Sequence, residues 1–211
     1  MKRTTTAARP NSASDSGAMG RRERSKLEKR ARIVAAAGRV DILVINLFPA
    51  LDLDGFSFEL AVEASDAEWH KMFNSIVHPT MRFARAVLPQ MIERRAGKII
   101  AVTSAVPLRA LSSCSSYAAA RGAQNAYVLA AGAEVAQHNV QINAIGQNFV
   151  YGGYPPDAMD RPAIRESVMR DVPARRLSEG WEQAELVMFL ASDRSNFICG
   201  QVIPYAGGWV T

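Results

Sequence analysis

The most informative segments of the sequence are Lys98-Ile99-Ile100-Ala101-Val102-Thr103-Ser104 and, after a loop, Ser115-Ser116-Tyr117-Ala118-Ala119-Ala120-Arg121. The apolar run before Ser104 is typical of a buried strand. Tyr117 and Arg121 stand four residues apart, so on a helix they share one face. A serine at the carboxyl end of a parallel strand lies where open α/β sheets hold their ligands. We therefore expect Ser104, Tyr117 and Arg121 to converge on one point.

The periodicity outside this stretch alternates between strands and helices, which predicts a parallel sheet with helical crossovers. The predicted strands are 41–46, 98–103, 140–145 and 201–205. The predicted helices are 21–38, 68–95, 115–138, 162–171 and 180–191, with loops at 105–114 and 146–162. Pro79 lies inside the helix 68–95 and should kink it or open its hydrogen-bond ladder, because proline has no N–H. Gly38 suits the carboxyl end of the helix 21–38.

Charge is divided unevenly along the 211 residues. The first forty hold eleven Lys/Arg against three Asp/Glu, whereas the remainder holds fourteen against seventeen. Residues 1–20 offer almost no apolar surface to bury, so we expect a basic, disordered segment at 1–30 and one folded domain at 31–211. The mildly acidic body argues against a nucleic-acid partner.

Composition excludes several other classes. No apolar run approaches the length of a membrane span, and the basic N-terminus has no apolar stretch behind it. Two cysteines are too few for a disulfide framework, which favours a cytoplasmic setting. The three histidines show no metal-ligand spacing, so we expect no metal site.

Several motifs follow one another in the order and spacing of a known superfamily. They are Gly38-Arg39-Val40-Asp41-Ile42-Leu43-Val44-Ile45-Asn46, Arg85-Ala86-Val87-Leu88-Pro89-Gln90-Met91, Gly97-Lys98-Ile99-Ile100, His138-Asn139-Val140-Gln141-Ile142-Asn143-Ala144-Ile145 and Ala206-Gly207-Gly208. With these motifs the chain from Gly38 to Thr211 resembles the short-chain dehydrogenase/reductase superfamily. The resemblance implies an α/β fold of the Rossmann-like type, with a parallel sheet as the middle of three layers.

Within that superfamily the chain is most similar to the halohydrin dehalogenases. Their Ser-x12-Tyr-x3-Arg signature is met by Ser104, Tyr117 and Arg121, whereas the reductases carry lysine at the position of Arg121. Ile76 stands where the reductases have an asparagine, thirteen positions ahead of Pro89. Two further segments depart from the reductases in the same way. Gly146-Gln147-Asn148-Phe149-Val150 replaces their Pro-Gly, and Leu47-Phe48 replaces their Ala-Gly.

The resemblance implies a reaction without cofactor, in which a vicinal halohydrin closes to an epoxide and releases halide. The reverse reaction opens epoxides with small anions. A free tyrosine is a poor base at neutral pH, but a neighbouring permanent cation favours the phenolate. Our hypothesis is that Arg121 acts in this way on Tyr117, which removes the substrate proton while Ser104 donates to the substrate oxygen.

The same resemblance implies a halide and substrate site. Gln147, Asn148 and Phe149 are its candidates in the loop after Ile145, together with Phe48. Tyr151 or Tyr154 would line its outer wall. Asn148 closing only a turn, and Phe149 serving only as core, remain alternatives. The small-residue helix 115–138 corresponds to a subunit interface of the superfamily, which implies a homo-oligomer, a dimer or tetramer.

The superfamily begins with an apolar strand and a turn that this chain does not match. No apolar strand precedes Asp41, and Gly17 and Gly20 do not form a glycine-rich phosphate turn. We therefore expect an N-terminally truncated Rossmann-like domain in which the strand 41–46 lies at a sheet edge. Two alternative functions stay open: an NAD(P)-dependent short-chain reductase that tolerates arginine, and an inactive, truncated fold.

Overall fold

The computed structural model describes residues 38–48, 60–151 and 160–210. The predicted disordered segment at 1–30 and the predicted helix 21–38 lie outside these ranges, apart from Gly38. That glycine has a φ of 69°, the left-handed region that favours glycine at the end of a helix. Tyr154 also lies outside the described residues.

Four parallel strands form the described sheet in the order β1-β2-β3-β4. They are β1 (Ile42–Asn46), β2 (Gly97–Val102), β3 (Val140–Gln147) and β4 (Gln201–Tyr205). The pairing aligns Ile45 with Ala101 and Ala101 with Ala144, so the carboxyl ends of the strands meet at one edge. The predicted strands are confirmed to within two residues at each end. β3 extends to Gln147 because Ala105 N–H still donates to Gln147 O, at 2.8 Å.

The helices fill the connections between these strands. They are α1 (Asp66–Met72), α2 (His78–Arg94), α3 (Val106–Arg109), α4 (Ser115–Val135), α5 (Pro162–Asp171) and α6 (Gly180–Ala191), with short 3-10 turns at Ala136–His138 and Asp193–Ser195. The prediction of a loop over 105–114 was wrong for its first half, where α3 forms. Its four residues hold too little periodicity to signal a helix in the sequence.

Helices cover both faces of the sheet. On one face Ile99 and Ala101 pack with residues of α2 and α4, among them Met91 and Val128. On the other face Ile100 and Ile145 pack against Leu190 of α6. This arrangement confirms the prediction of a three-layer α/β architecture with a parallel sheet. Its carboxyl edge is where the functional site of such a fold is expected.

Pro79 coincides with the expected break in the long helix. The turn Phe73–Val77, between α1 and α2, is a π-helix, the wider form in which a helix accommodates an interrupted ladder. Proline has no N–H to offer a preceding carbonyl, and two side-chain hydroxyls in this segment also bond to backbone carbonyls. Ser75 Oγ donates to Lys71 O at 2.6 Å, and Thr80 Oγ1 donates to Ile76 O at 2.7 Å.

β1 lies at one end of the described sheet. Its Leu43 and Ile45 face the core with α2, whereas Ile42 and Val44 are 47% and 44% exposed. Within the described ranges none of the helices is both long enough and apolar enough to span a membrane.

Candidate active site

Tyr117 and Arg121 lie in the first two turns of α4 and contact each other directly. The Arg121 Nε–H donates to the Tyr117 hydroxyl oxygen at 3.2 Å. The guanidinium carbon lies 5.4 Å from the centre of the Tyr117 ring. The i, i+4 spacing read from the sequence therefore brings the phenol and the cation together, as expected.

Arg121 also joins α4 to the carboxyl ends of two strands. Its Nη2 donates to Leu47 O, just after β1, at 2.8 Å, and its Nη1 donates to Val102 O, the end of β2, at 3.3 Å. A third acceptor is Gln124 Oε1, at 2.8 Å from Nη1. The residue is only 1% exposed. A buried cation has to be hydrogen-bonded, and here its acceptors are neutral oxygens, so its charge is held without being neutralised.

Ser104 follows β2 at the same edge of the sheet and is 3% exposed. The residues on either side of it hold it against β3, because Thr103 N–H and Ala105 N–H each donate to a β3 carbonyl at 2.8 Å. The Ser104 hydroxyl oxygen accepts from Val106 N–H, at 3.1 Å. A hydroxyl that accepts a bond in this way keeps its own proton for donation. Ser104 can therefore act as a donor to a substrate oxygen.

The loop after β3 is held by its own neighbours. Asn148 N–H donates to Tyr205 O at 3.0 Å, and Ser178 N–H donates to Phe149 O at 3.3 Å. The Gln147 side-chain oxygen accepts from the Gln183 amide. The Asn148 backbone N–H thus already has an acceptor, and its side-chain Nδ2 is buried with no hydrogen-bond partner among the described residues.

Asn148 and Phe149 line a cavity of about 200 Å³ whose walls include Arg176, Glu182 and Tyr205. None of Ser104, Tyr117 and Arg121 belongs to that lining. Phe48, 42% exposed, follows the Leu47 whose carbonyl binds Arg121. Halide binding by Gln147, Asn148, Phe149 or Phe48 stays a prediction.

An exposed ion pair lies on this cavity wall. Arg176 donates to both carboxylate oxygens of Glu182, at 2.6 and 2.7 Å. These bonds, and a further one from Glu179 N–H, lower the pKa of Glu182 from 4.5 to about 2. The charge of Arg176 is therefore neutralised by a carboxylate, unlike that of Arg121.

The sequence analysis missed two residues near the site: Gln124, which contacts Arg121, and Thr80, which contacts Gln124. Gln124 is fully buried, and its Nε2 donates to Thr80 Oγ1 at 2.8 Å. The available signal was the helical spacing, since Gln124 follows Arg121 by three residues and precedes buried Val128 by four. A glutamine on a face that is otherwise apolar or functional needs a partner, which points to the site.

The fold agrees with that of similar proteins of known structure. Residues 23–210 match the family model described as enoyl-(acyl carrier protein) reductase. The chain belongs to this family, which is part of the short-chain dehydrogenase/reductase superfamily.

Similar proteins include reductases and a halohydrin dehalogenase. The 3-oxoacyl-[acyl-carrier-protein] reductase FabG of Vibrio harveyi is 32% identical over 171 residues, which cover 81% of this chain and 67% of that protein. The corresponding reductase of Escherichia coli (strain K12) is 30% identical over 184 residues, covering 87% of this chain and 71% of that protein. A solved halohydrin dehalogenase (HheC) bound to ethyl (2S)-oxiran-2-ylacetate is 30% identical. It has a TM-score of 0.79 and covers 88% of this chain and 74% of the other.

Proposed function

We propose that this protein is a carbon–halide lyase of the halohydrin dehalogenase type. It would convert vicinal halohydrins to epoxides and halide, and in reverse open epoxides with small anions. The observation that carries the proposal is Arg121, which is buried and donates to the Tyr117 hydroxyl at 3.2 Å. The halohydrin dehalogenase among the similar structures supports the same reading.

The chemistry needs a base, a donor and an exit for an anion. Arg121 favours the phenolate of Tyr117, which takes the proton of the substrate hydroxyl. Ser104 donates to the same substrate oxygen and fixes its position. The oxygen then forms a bond to the neighbouring carbon while the carbon–halide bond breaks, and the halide leaves with the bonding electrons. No electron is gained or lost overall, so this reaction requires no redox cofactor.

A second candidate is an NAD(P)-dependent reductase, because the similar proteins include 3-oxoacyl-[acyl-carrier-protein] reductases at 30–32% identity. In reductases that this chain resembles, the lysine at the position of Arg121 reaches the ribose hydroxyls of the cofactor. The hydrogen bonds of Arg121 favour the lyase over this candidate. Arg121 directs its Nη donors inward, to Leu47 O, Val102 O and Gln124.

Two assays on the same preparation separate the candidates. The lyase proposal expects halide release from a vicinal bromo- or chloro-alcohol, with no NADPH oxidation in the presence of a 3-oxoacyl thioester. NADPH oxidation without halide release would replace the lyase by the reductase. The absence of both activities from a folded chain would favour the third, non-catalytic alternative.

A further inference from the structure

We propose that Gln124 and Thr80 are positioning residues for Arg121, joined in a directed hydrogen-bond relay that runs from Arg121 and ends at a backbone carbonyl of the π-helical turn. This inference rests on the proposed function only in giving Arg121 and Tyr117 a part in proton transfer. The relay itself follows from four side-chain contacts in the buried space between α2 and α4.

The relay has a single possible direction. Arginine can only donate, so Gln124 must turn its side-chain oxygen to Arg121, at 2.8 Å. The Gln124 amide nitrogen then faces Thr80 and donates to its oxygen, also at 2.8 Å. The Thr80 hydroxyl is left to donate, and it does so to Ile76 O at 2.7 Å. The cation at one end and the carbonyl at the other therefore determine every proton along the chain.

The three side chains of the relay are buried, so the loss of one of their hydrogen bonds should affect the others. Thr80 and Arg121 are each 1% exposed, and Gln124 is fully buried. Water does not replace a lost partner at such positions, so removing one member leaves the next unsatisfied in a medium of low dielectric.

The relay ends at the π-helical turn Phe73–Val77, which lies just before Pro79. The Ile76 carbonyl accepts the Thr80 hydroxyl, four residues further along the helix. The Ile76 side chain is fully buried with Met72 and Ala120, and the ring of Tyr117 packs against this cluster. One short segment thus supports the Tyr117 ring directly and the Arg121 guanidinium through Thr80 and Gln124.

Gln124 supplies the shorter of the two bonds to Nη1 of Arg121. The other, to Val102 O, is 3.3 Å long. Without Gln124 the guanidinium keeps the short bond to Leu47 O and the longer one to Val102 O, and we expect it to rotate about the bond to Leu47 O. Such a rotation moves Nε from the Tyr117 hydroxyl, which it now contacts at 3.2 Å. The geometry points to Gln124 as the residue that keeps the cation aimed at the phenol.

The test uses Gln124→Leu, which preserves bulk and removes both hydrogen-bonding groups. Ionisation of Tyr117 is followed by phenolate absorbance, with its share isolated by subtracting the signal of Tyr117→Phe. We expect the phenolate absorbance of Tyr117 to change with pH differently in this variant and in the wild type, because the guanidinium no longer faces the phenol. The kcat of halide release should fall about tenfold at neutral pH, with KM within about twofold. Thr80→Val should shift both readouts in the same direction by less, and Thr80→Ser should retain the wild-type values.

The control is Gln141→Leu, which removes another buried glutamine, on β3, bonded to Asn139 at 3.4 Å. The proposal would be overturned if Gln124→Leu lost as much stability as Gln141→Leu and its Tyr117 titration nevertheless superimposed on that of the wild type. Should Gln124→Leu not fold, equal titrations of Thr80→Val and Thr80→Ser would overturn it instead. Because the titration needs no turnover, a chain that releases no halide rejects the lyase and still tests the relay.

Discussion

The two halves of α4 bury different kinds of side chain, and the buried side chains of each half serve a different purpose. The first half places Tyr117, Arg121 and Gln124 at the site and joins them by hydrogen bonds. The second half buries small apolar residues, and at Gly132 it approaches so closely that an added Cβ would lie 2.5 Å from Gly200 Cα. The first half of α4 is therefore specified by the direction of its hydrogen bonds, and the second half by the volume of its side chains. Substitutions in the first half of α4 should therefore affect activity more than stability. Substitutions in the second half should affect stability more than activity.

Tyr117→Phe should have the largest effect, on activity. It removes the proposed base, so halide release should fall by at least about 100-fold. The ring still fills its place against Ile76, and the loss of one bond to a buried donor should lower the free energy of unfolding by only about 1–2 kcal/mol. Halide release and urea denaturation of the same preparation measure the two effects. Wild-type turnover in this variant would make Tyr117 a structural residue.

Gly132→Ala should have the largest effect on stability. Its Cβ would meet the backbone of Gly200 at 2.5 and 2.6 Å, and backbone cannot turn aside as a side chain can. We expect a loss of about 2–3 kcal/mol in the free energy of unfolding.

Gly122→Ala, in the first half of the same helix, is the matched control. Its Cβ would find Pro107 Cβ at an ordinary 3.7 Å, so the better helix propensity of alanine should raise stability by up to about 1 kcal/mol. Equal destabilisation by the two substitutions, measured by urea denaturation, would remove the volume argument for the second half.

Arg121→Lys tests whether bond direction matters beyond charge. Lysine keeps the positive charge but loses the planar fork that here serves the Tyr117 hydroxyl, Leu47 O, Val102 O and Gln124 at once. Halide release should fall about tenfold, equivalent to about 1.4 kcal/mol of activation free energy. The pH range over which the rate rises should also shift. Superimposable pH–rate profiles would mean that a nearby charge suffices.

Glu182→Gln should have the smallest effect on stability and activity. It tests the pair of Arg176 and Glu182, in which a surface arginine is neutralised by a carboxylate. The folded-state pKa of Glu182, about 2, lies below its usual 4.5, because Arg176 and Glu179 N–H bind the carboxylate. The carboxylate therefore contributes stability above pH 4.5 that is lost as the pH falls towards 2. Unfolding of the variant followed across this range should lack that part of the acid dependence. Retention of the full dependence would assign it to other carboxylates.

Much of the fold could be read from the sequence because its signals are local. The apolar runs at β2 and β3 predicted buried strands, and the spacing of Tyr117 and Arg121 placed both on one face of α4. Pro79 marked the interrupted ladder before α2, since the missing N–H is a property of the residue itself. The position of Ser104 at a strand end followed from the run of apolar residues before it.

The tertiary structure alone decided which distant groups meet. Gln124 contacts Thr80 across 44 residues of chain, and Arg121 contacts Leu47 O across 74. The packing of β4 beside β3 also gives the Asn148 N–H its acceptor, Tyr205 O, at 3.0 Å. The spacing of residues along a helix or strand records only neighbours within a few positions. Contacts between separate elements depend on how α2, α4 and β4 pack on one sheet, which no local pattern contains.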